Sequence, residues 1–255
     1  MKSTIFFIIT LILTSLSLKA QTDFPAMKQQ FLDYHKAKQQ DSALNIARKM
    51  NQLALKEQSD TSYWYALSMR YQGNPHNTWG NKDSTIYYWK NSIELFEKYH
   101  PESKDYITGL VNLAEYYKDL SDFLQAKFYF LKSVSISKKH HYGKLCHLRA
   151  SNELASLIGY ELDNYKNALT ILNENLNLFS GKMFYFKHIR TLKLISIFYD
   201  KNFQPYKAKK FALECLNRIN ESKNEYELRN IYGVIGNIYI GLRELDSSEF
   251  YFEKN

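Results

Sequence analysis

The sequence predicts an all-α protein of about six helical hairpins that follow one another at a period of 40–42 residues. Gly and Pro are scarce, at 9 and 4 among 255 residues, while 45% of the residues are hydrophobic, which is typical of a folded helical chain. A small residue followed at helical spacing by two apolar residues also recurs six times. We therefore expect a helical solenoid, in which each hairpin packs on the next.

The second helix of each hairpin is marked by a column of small residues, which we call the anchors. The anchors are Ala43, Thr85, Ala126, Ala168, Ala208 and Ser248, separated by 42, 41, 42, 40 and 40 residues. The residues three and four positions after each anchor are all apolar or aromatic. This spacing gives one buried helix face on which the small anchor allows close approach. Asp41, Asp83 and Asp246 precede three of the anchors and are predicted to be N-caps.

The first helix of each hairpin is marked by a second pattern upstream of the anchor. Its copies are residues 64–71, 110–117, 192–199 and 232–239. Each copy has bulky, bulky, small and Tyr residues at spacings of 3, 1 and 3, which is one helix face. The final Tyr lies nine residues before the anchor in the third, fifth and sixth hairpins, as Tyr34 does in the first.

Two hairpins depart from this spacing. In the second, fourteen residues separate Tyr71 from Thr85, which predicts a five-residue loop insertion containing Trp79. In the fourth, Ile158 or Gly159 stands where Tyr is expected, so its first helix is expected to be displaced by one residue.

The order of aromatic, Leu, small and Tyr residues, followed by Ala and an aromatic residue, resembles the tetratricopeptide repeat (TPR) family over about residues 24–255. The period departs from the roughly 34 residues of that family. HEAT-type repeats of roughly 40–47 residues are the structural alternative, although they do not predict this order of residue types.

The resemblance implies that the first helices line a groove that receives a protein or peptide segment. By register, the groove positions are Thr108, Val111, Glu115, Lys118, Arg190, Lys193, Asn230 and Asn237. Trp79 is a further candidate contact. Some family members bind a partner's C-terminal carboxylate through Lys and Asn at such positions. That binding is not expected here, because Ile197 and Gly233 stand where an Asn and a Lys are required.

The first twenty residues are typical of a secretory signal peptide. Lys2 precedes an apolar run from Ile5 to Leu18, and Lys19-Ala20 follows it. The run is shorter than the roughly 20 apolar residues that span a bilayer, so we expect cleavage after Ala20, with an uncleaved anchor as the alternative. Residues 21–255 would then be the repeat domain, exported to the periplasm or cell envelope.

Composition and motifs exclude several function classes. The net charge is +8, but an exported chain does not ordinarily meet nucleic acid, so no nucleic-acid partner is expected. Cys146 and Cys215 fall on different helices and are predicted to be buried free thiols. The group of His140, His141, Cys146 and His147 has no recognised zinc spacing. Nucleotide-binding loops and nucleophile motifs are also missing, so no metal, cofactor or catalytic residue is predicted.

These features predict a non-enzymatic exported scaffold that binds a protein or peptide partner. The alternative is the periplasmic sensor portion of a membrane-spanning transcriptional regulator or histidine kinase, truncated at the C-terminus. It is suggested by the incomplete last hairpin, whose second helix starts near Asp246 shortly before Asn255. In either case the membrane would be reached only through the signal peptide or a missing C-terminal part.

Overall fold

The computed structural model describes residues 23–139, 143–179, 184–223 and 225–255. Over these ranges the chain forms twelve α-helices and no strand, so the predicted all-α solenoid of six hairpins is confirmed. The chain divides into two compact units, the N-terminal unit Met1–Pro101 and the C-terminal unit Glu102–Asn255. The predicted signal peptide, residues 1–20, lies outside the described residues.

The N-terminal unit contains two hairpins. Its helices are α1 (Phe24–Lys36), α2 (Gln40–Glu57), α3 (Tyr63–Thr78) and α4 (Lys82–Tyr99). Here and below, odd-numbered helices are the first helices of hairpins and even-numbered helices are the second. Phe31 of α1 stacks on Tyr71 of α3 with ring centroids 4.0 Å apart, so the two first helices of this unit share a buried aromatic contact.

The C-terminal unit contains four hairpins, in which each helix packs on the next. Its helices are α5 (Lys104–Asp119), α6 (Phe123–Lys139), α7 (Lys144–Tyr160), α8 (Tyr165–Leu178), α9 (Ile189–Lys201), α10 (Pro205–Ser222), α11 (Glu225–Gly241) and α12 (Leu245–Glu253). A short 3-10 turn, Phe186–His188, precedes α9. None of the helices in the described ranges combines the length and the apolar character needed to cross a lipid bilayer.

Each of the six hairpin turns contains a residue in the left-handed backbone conformation, five positions before the anchor. These residues are Lys38, Gly80, Ser121, Asp163, Phe203 and Arg243, with φ from 48° to 72°. The conformation reverses the chain and lets a following amide bond back to the helix end, as Asp122 N does to Tyr117 O at 2.9 Å. Five of the six are not Gly, and for each of these the left-handed conformation costs about 1–2 kcal/mol relative to the right-handed one.

A stacked ring pair lies beneath the turn in four of the hairpins. The residue nine positions before the anchor stacks on the residue three positions after it. The pairs are His76–Tyr88, Tyr117–Tyr129, Tyr199–Phe211 and Tyr239–Tyr251, with centroids 5.5 to 5.7 Å apart. The recurrent Tyr of the sequence pattern therefore joins the two helices of its own hairpin.

The anchors are the most completely buried column of the fold. Five of them are 0% exposed, and Ser248 is 4% exposed. The residue four positions later is buried in the first five hairpins, whereas Phe252 in the last is 39% exposed. The predicted buried face is therefore confirmed for the anchors and, through α10, for the residues four positions later, whereas the residues three positions after the anchors are only partly buried.

The predicted N-caps are wrong by two positions. The N-cap residues are instead Gln39, Asn81 and Glu244. Asn81 Oδ1 accepts a hydrogen bond from Ser84 N at 3.2 Å. Asp41, Asp83 and Asp246 lie in the first turn of their helices, where a negative charge is favoured by the helix dipole.

The predicted loop insertion of the second hairpin is also wrong, because the residues that follow Tyr71 are helical and belong to α3, which at 16 residues is as long as α5. This helix continues through Pro75 to Thr78, and Trp79 follows as its C-cap. The turn keeps its ordinary geometry at Gly80, and His76 takes the position that Tyr occupies in other hairpins. The pattern at residues 64–71 is therefore five residues out of phase with the other copies, and Gly73 stands at the in-phase small position, twelve residues before the anchor.

Trp89, four positions after the anchor of α4, packs against the C-terminal half of α3. Its indole Nε1 donates to Arg70 O at 3.2 Å and to Asn74 Oδ1 at 3.1 Å. A Cβ at Gly73 would lie 2.4 Å from Trp89 Cδ1. The C-terminal half of α3 therefore satisfies the hydrogen bond of a buried indole, and Gly73 makes room for the ring.

The fourth hairpin shows the predicted one-residue displacement. α7 ends at Tyr160, eight residues before its anchor, whereas the other first helices end seven before theirs. The amide of Asn164 accordingly bonds Ile158 O, six residues back, where the equivalent amide of other hairpins bonds the Tyr five residues back. Phe198 of α9 packs on Gly159, where a Cβ would lie 2.3 Å from Phe198 Cζ.

Both cysteines are free thiols. The Cys215 thiol is buried and donates to Ile189 O at 3.3 Å, and burial raises its pKa to about 12. Cys146 is only partly buried, so the prediction of two buried thiols is correct for Cys215 alone.

Enlarging an anchor tests the packing directly. Ala126→Leu and Ala168→Leu should each lower the free energy of unfolding by about 1–3 kcal/mol, since neither site has room for more side chain. Urea denaturation of each variant measures this. The control Gln125→Leu changes an exposed residue of α6 and should stay within about 0.5 kcal/mol of the parent. Anchor variants as stable as this control would contradict the register.

Candidate functional site

The first helices of the C-terminal unit contact one another directly, α5 with α7, α7 with α9 and α9 with α11. Their outward sides therefore form one surface, which we call the first-helix face. Most of the sequence-predicted groove residues lie on these helices. What this surface can bind depends on which of its polar groups already have partners within the fold.

A chain of opposite charges crosses three of these helices. Glu153 of α7 is 6% exposed and accepts from Lys118 Nζ of α5 at 2.9 Å. The guanidinium of Arg190, on α9, contacts the other carboxylate oxygen of Glu153. One buried carboxylate therefore holds two cations from the neighbouring first helices.

Two further ion pairs extend this pattern. Two guanidinium nitrogens of Arg149, on α7, donate to the Glu115 carboxylate of α5. Nε lies 3.1 Å from Oε1, and Nη2 contacts Oε2. Lys193 Nζ of α9 lies 2.7 Å from Glu227 Oε2 of α11. Four of the predicted groove residues, Glu115, Lys118, Arg190 and Lys193, therefore form ion pairs between successive first helices.

The remaining predicted groove residues lie in different environments. Val111 is 1% exposed and belongs to the core, so its prediction as a groove contact is wrong. Thr108 is partly buried, and its hydroxyl donates to Lys104 O of its own helix. Asn230 is exposed and donates to Tyr226 O. Asn237 is exposed and lines the concave pocket described next.

An open groove of about 640 Å³ lies at the C-terminal ends of α7, α9 and α11. We call it the α9–α11 groove. It is lined by Tyr160, Ile197, Asp200, Lys201, Phe203, Val234, Asn237, Ile238, Ile240 and Gly241. Phe203 is 93% exposed and Ile240 is 51% exposed. The volume is in the range of sites that bind small ligands or a few side chains.

The polar groups of the α9–α11 groove are few and lie among apolar walls. Burial raises the pKa of the Asp200 carboxyl, and the adjacent Lys201 ammonium opposes this shift. Asn237 adds an amide that can both donate and accept. The groove therefore offers apolar contact area with a small number of groups that can orient a ligand.

A buried hydrogen-bond network under the first-helix face was not predicted from the sequence. Ser151 Oγ donates to Asn175 Oδ1 at 2.8 Å, and Asn175 Nδ2 donates to Asn152 Oδ1 at 3.0 Å. Asn152 Nδ2 donates to Thr191 Oγ1 at 3.0 Å. The run Ser151-Asn152-Glu153 inside a helix with a buried face was the available signal. These bonds join α7, α8 and α9, and so hold Glu153 in place.

The predicted absence of a metal site is not decided by the structure. His140 and His141 lie outside the described residues. His147 is buried, its ring Nδ1 lies 3.0 Å from Ser137 Oγ, and burial lowers its pKa. Among the described residues, no three His, Cys, Asp or Glu side chains are grouped so that they could hold a metal ion.

Trp79 belongs to the N-terminal unit. It is 46% exposed at the end of α3, and its ring meets His76 edge to face at 5.5 Å. Its predicted role as a loop contact stays a prediction.

Sequence comparison identifies repeats of one family. The family profile described as "Tetratricopeptide repeat" matches residues 107–140 and 230–254, which correspond to the third and sixth hairpins. No curated protein matches the chain.

Solved structures resemble the whole fold at low identity. BtubC (BKLC) from P. vanneervenii is 12% identical, with 90% of this chain and 89% of that chain covered and a TM-score of 0.70. The apo form of RapI is 14% identical, with coverages of 99% and 70% and a TM-score of 0.74. A tetratricopeptide repeat protein from Parabacteroides merdae is 14% identical, with coverages of 91% and 78% and a TM-score of 0.63. These likenesses concern the fold alone.

Removing the Glu153 charge tests the ion-pair chain. Glu153→Gln should lower the free energy of unfolding by about 1–2 kcal/mol, because it leaves two cations facing each other, although both are partly solvated. Glu115→Gln, whose ion pair with Arg149 is more exposed, is the matched control and should cost less than about 1 kcal/mol. Chemical denaturation measures both. Equal losses would show that Glu153 has no special role in joining the helices.

Proposed function

We propose that the chain is a non-enzymatic scaffold that binds a segment of a partner protein, because two of its hairpins match the tetratricopeptide repeat profile and its fold resembles that of a tetratricopeptide repeat protein. The α9–α11 groove is the proposed site. The observation that carries this proposal is the exposed apolar lining of that groove, to which Phe203 and Ile240 contribute from its rim. Exposed apolar groups of this kind, gathered in a concave site, are typical of a surface that a partner covers.

The bound segment should carry apolar side chains. Ile197, Val234 and Ile238 form much of the wall, so transfer of a partner's apolar side chain from water is the main source of affinity. The Asn237 side chain can hydrogen-bond the partner's backbone, because its amide can donate to a backbone carbonyl and accept from a backbone N–H.

The predicted contacts Glu115, Lys118, Arg190 and Lys193 have a different role in this proposal. Their charges are already paired between first helices, so a ligand would have to break an ion pair to reach them. We assign them to holding α5, α7, α9 and α11 in the alignment that shapes the first-helix face. Among the predicted groove residues, this leaves Asn237 as the contact that lines the groove.

Site-specific crosslinking tests the groove. A photoreactive benzoylphenylalanine at position 203 should crosslink to a protein partner in intact cells. The same group at position 206, where Tyr206 is 78% exposed at the start of α10, is the matched control and should not. Ile240→Asp should reduce the crosslink at least about tenfold, since it places a charge in the apolar site. Tyr226→Asp, on the same helix outside the groove, should leave it unchanged. Equal crosslinking at positions 203 and 206 would contradict the proposal.

We further propose that the protein is exported and acts in the periplasm or cell envelope after cleavage following Ala20. The support is the sequence pattern of residues 1–20, a basic start followed by a short apolar run. The alternative proposal is the periplasmic sensor portion of a membrane-spanning regulator or kinase, which shares this export pattern and would use the groove to sense its ligand.

Fractionation of cells with an antibody against the repeat domain distinguishes these proposals. Export as a scaffold predicts a periplasmic protein whose N-terminal residue is Gln21. The sensor alternative predicts a membrane-bound protein of greater mass than 30.2 kDa. A protein found in the cytoplasm with an intact N-terminus would overturn both.

A further inference from the structure

Helix α6 has two apolar faces. Its inner face contributes the buried residues Ala126, Phe130, Ser133 and Ser137. On the opposite side Leu124, Phe128 and Leu131 are 83%, 55% and 47% exposed. Their spacings of four and three residues place them in one line along the helix, which we call the α6 stripe. Packing within the hairpin accounts for the inner face but leaves the stripe open to solvent.

The repeat pattern does not require the α6 stripe. Its residues stand two before, two after and five after the anchor. The same positions are Asp41, Asn45 and Arg48 in α2, and Lys166, Thr170 and Asn173 in α8. Each of the remaining second helices also has at least one charged residue among the three. The stripe is therefore a property of this hairpin and not of the fold.

The charges of α6 are all positive and lie beside the stripe. Phe123–Lys139 contains four lysines and no Asp or Glu. At 3.6 residues per turn, Lys127 and Lys138 fall on one side of the stripe, and Lys132 and Lys139 fall on the other. The exposed surface of α6 thus combines an apolar line with a row of ammonium groups along each edge.

We propose that the α6 stripe and its four lysines dock on an anionic lipid surface. A helix with Leu and Phe on the contact side and Lys at its borders can insert the apolar side chains at headgroup level while the ammonium groups reach the phosphates. The net charge is +8 for the full chain and +6 once residues 1–20, with Lys2 and Lys19, are removed, and it adds a long-range attraction to an anionic membrane. This proposal is independent of the α9–α11 groove and adds a membrane contact made by the folded domain.

The composition of α6 favours lipid over a partner protein. Protein–protein contact surfaces are enriched in Arg and depleted in Lys, whereas α6 has four Lys and no Arg. Lys is well suited to a bilayer surface, because its alkyl chain lies along the apolar region and its charged end stays in water.

Vesicle binding tests the proposal, with the protein purified in the form that accumulates in cells. We expect at least about tenfold more protein to sediment with phosphatidylcholine vesicles containing about one third phosphatidylglycerol than with phosphatidylcholine alone. Binding should fall as the NaCl concentration is raised to about 0.5 M, because salt screens the lysine charges. Equal binding to both vesicles, or binding that salt does not change, would overturn the proposal.

Paired variants locate the contact. Phe128→Ser/Leu131→Ser and, separately, Lys127→Gln/Lys132→Gln should each reduce binding to anionic vesicles at least about fivefold. Controls are Leu55→Ser, at a 54% exposed residue of α2, and Lys166→Gln/Lys210→Gln on the other second helices α8 and α10. Circular dichroism confirms that each variant is folded. Binding that survives both α6 pairs, or that the controls reduce equally, would place the contact elsewhere and reject the proposal. A change in self-association without a change in vesicle binding would also reject it.

Discussion

Close approach of the two helices within each hairpin is the constraint on which the rest of this structure depends. The approach is close enough for side chains of a second helix to bond the backbone of the first. Ser248 Oγ donates to Gly236 O at 3.0 Å, and Ser92 Oγ donates to Ala66 O at 2.7 Å. Only small residues fit at such contacts, so the anchors have little freedom to vary in size. The bulky residues beside them then pack against the neighbouring helices.

The turn geometry converts this local packing into a fixed register. A left-handed residue five positions before every anchor sets where the first helix ends, even though Lys, Ser, Asp, Phe and Arg are less suited to it than Gly. The second hairpin shows how strong this constraint is. Its pattern at residues 64–71 is five residues out of phase with the other copies, yet the turn at Gly80 and the stacked His76 keep the same distances from the anchor as in the other hairpins.

In the C-terminal unit, the polar groups that are paired within the fold and the apolar side chains that are exposed lie in different places. Glu153 and the network beneath it hold α5, α7 and α9 together, and their charges and amides are satisfied within the fold. Exposed apolar surface occurs elsewhere, in the α9–α11 groove and along the α6 stripe. This division follows from desolvation, since a paired buried charge resists a new partner whereas an exposed apolar side chain gains by being covered.

The period of the sequence was enough to predict the helical hairpins, the anchors and most of the Tyr positions, because these follow from the spacing of residue types along each helix. It did not determine what the polar residues of the first helices contact. The fold brings together Lys118, Glu153 and Arg190 from three hairpins, and their spacing in the sequence does not predict this contact. Val111 likewise has a groove position by register, yet the neighbouring helices bury it. Only tertiary packing decided these roles, since charge pairing and burial depend on which helices lie side by side.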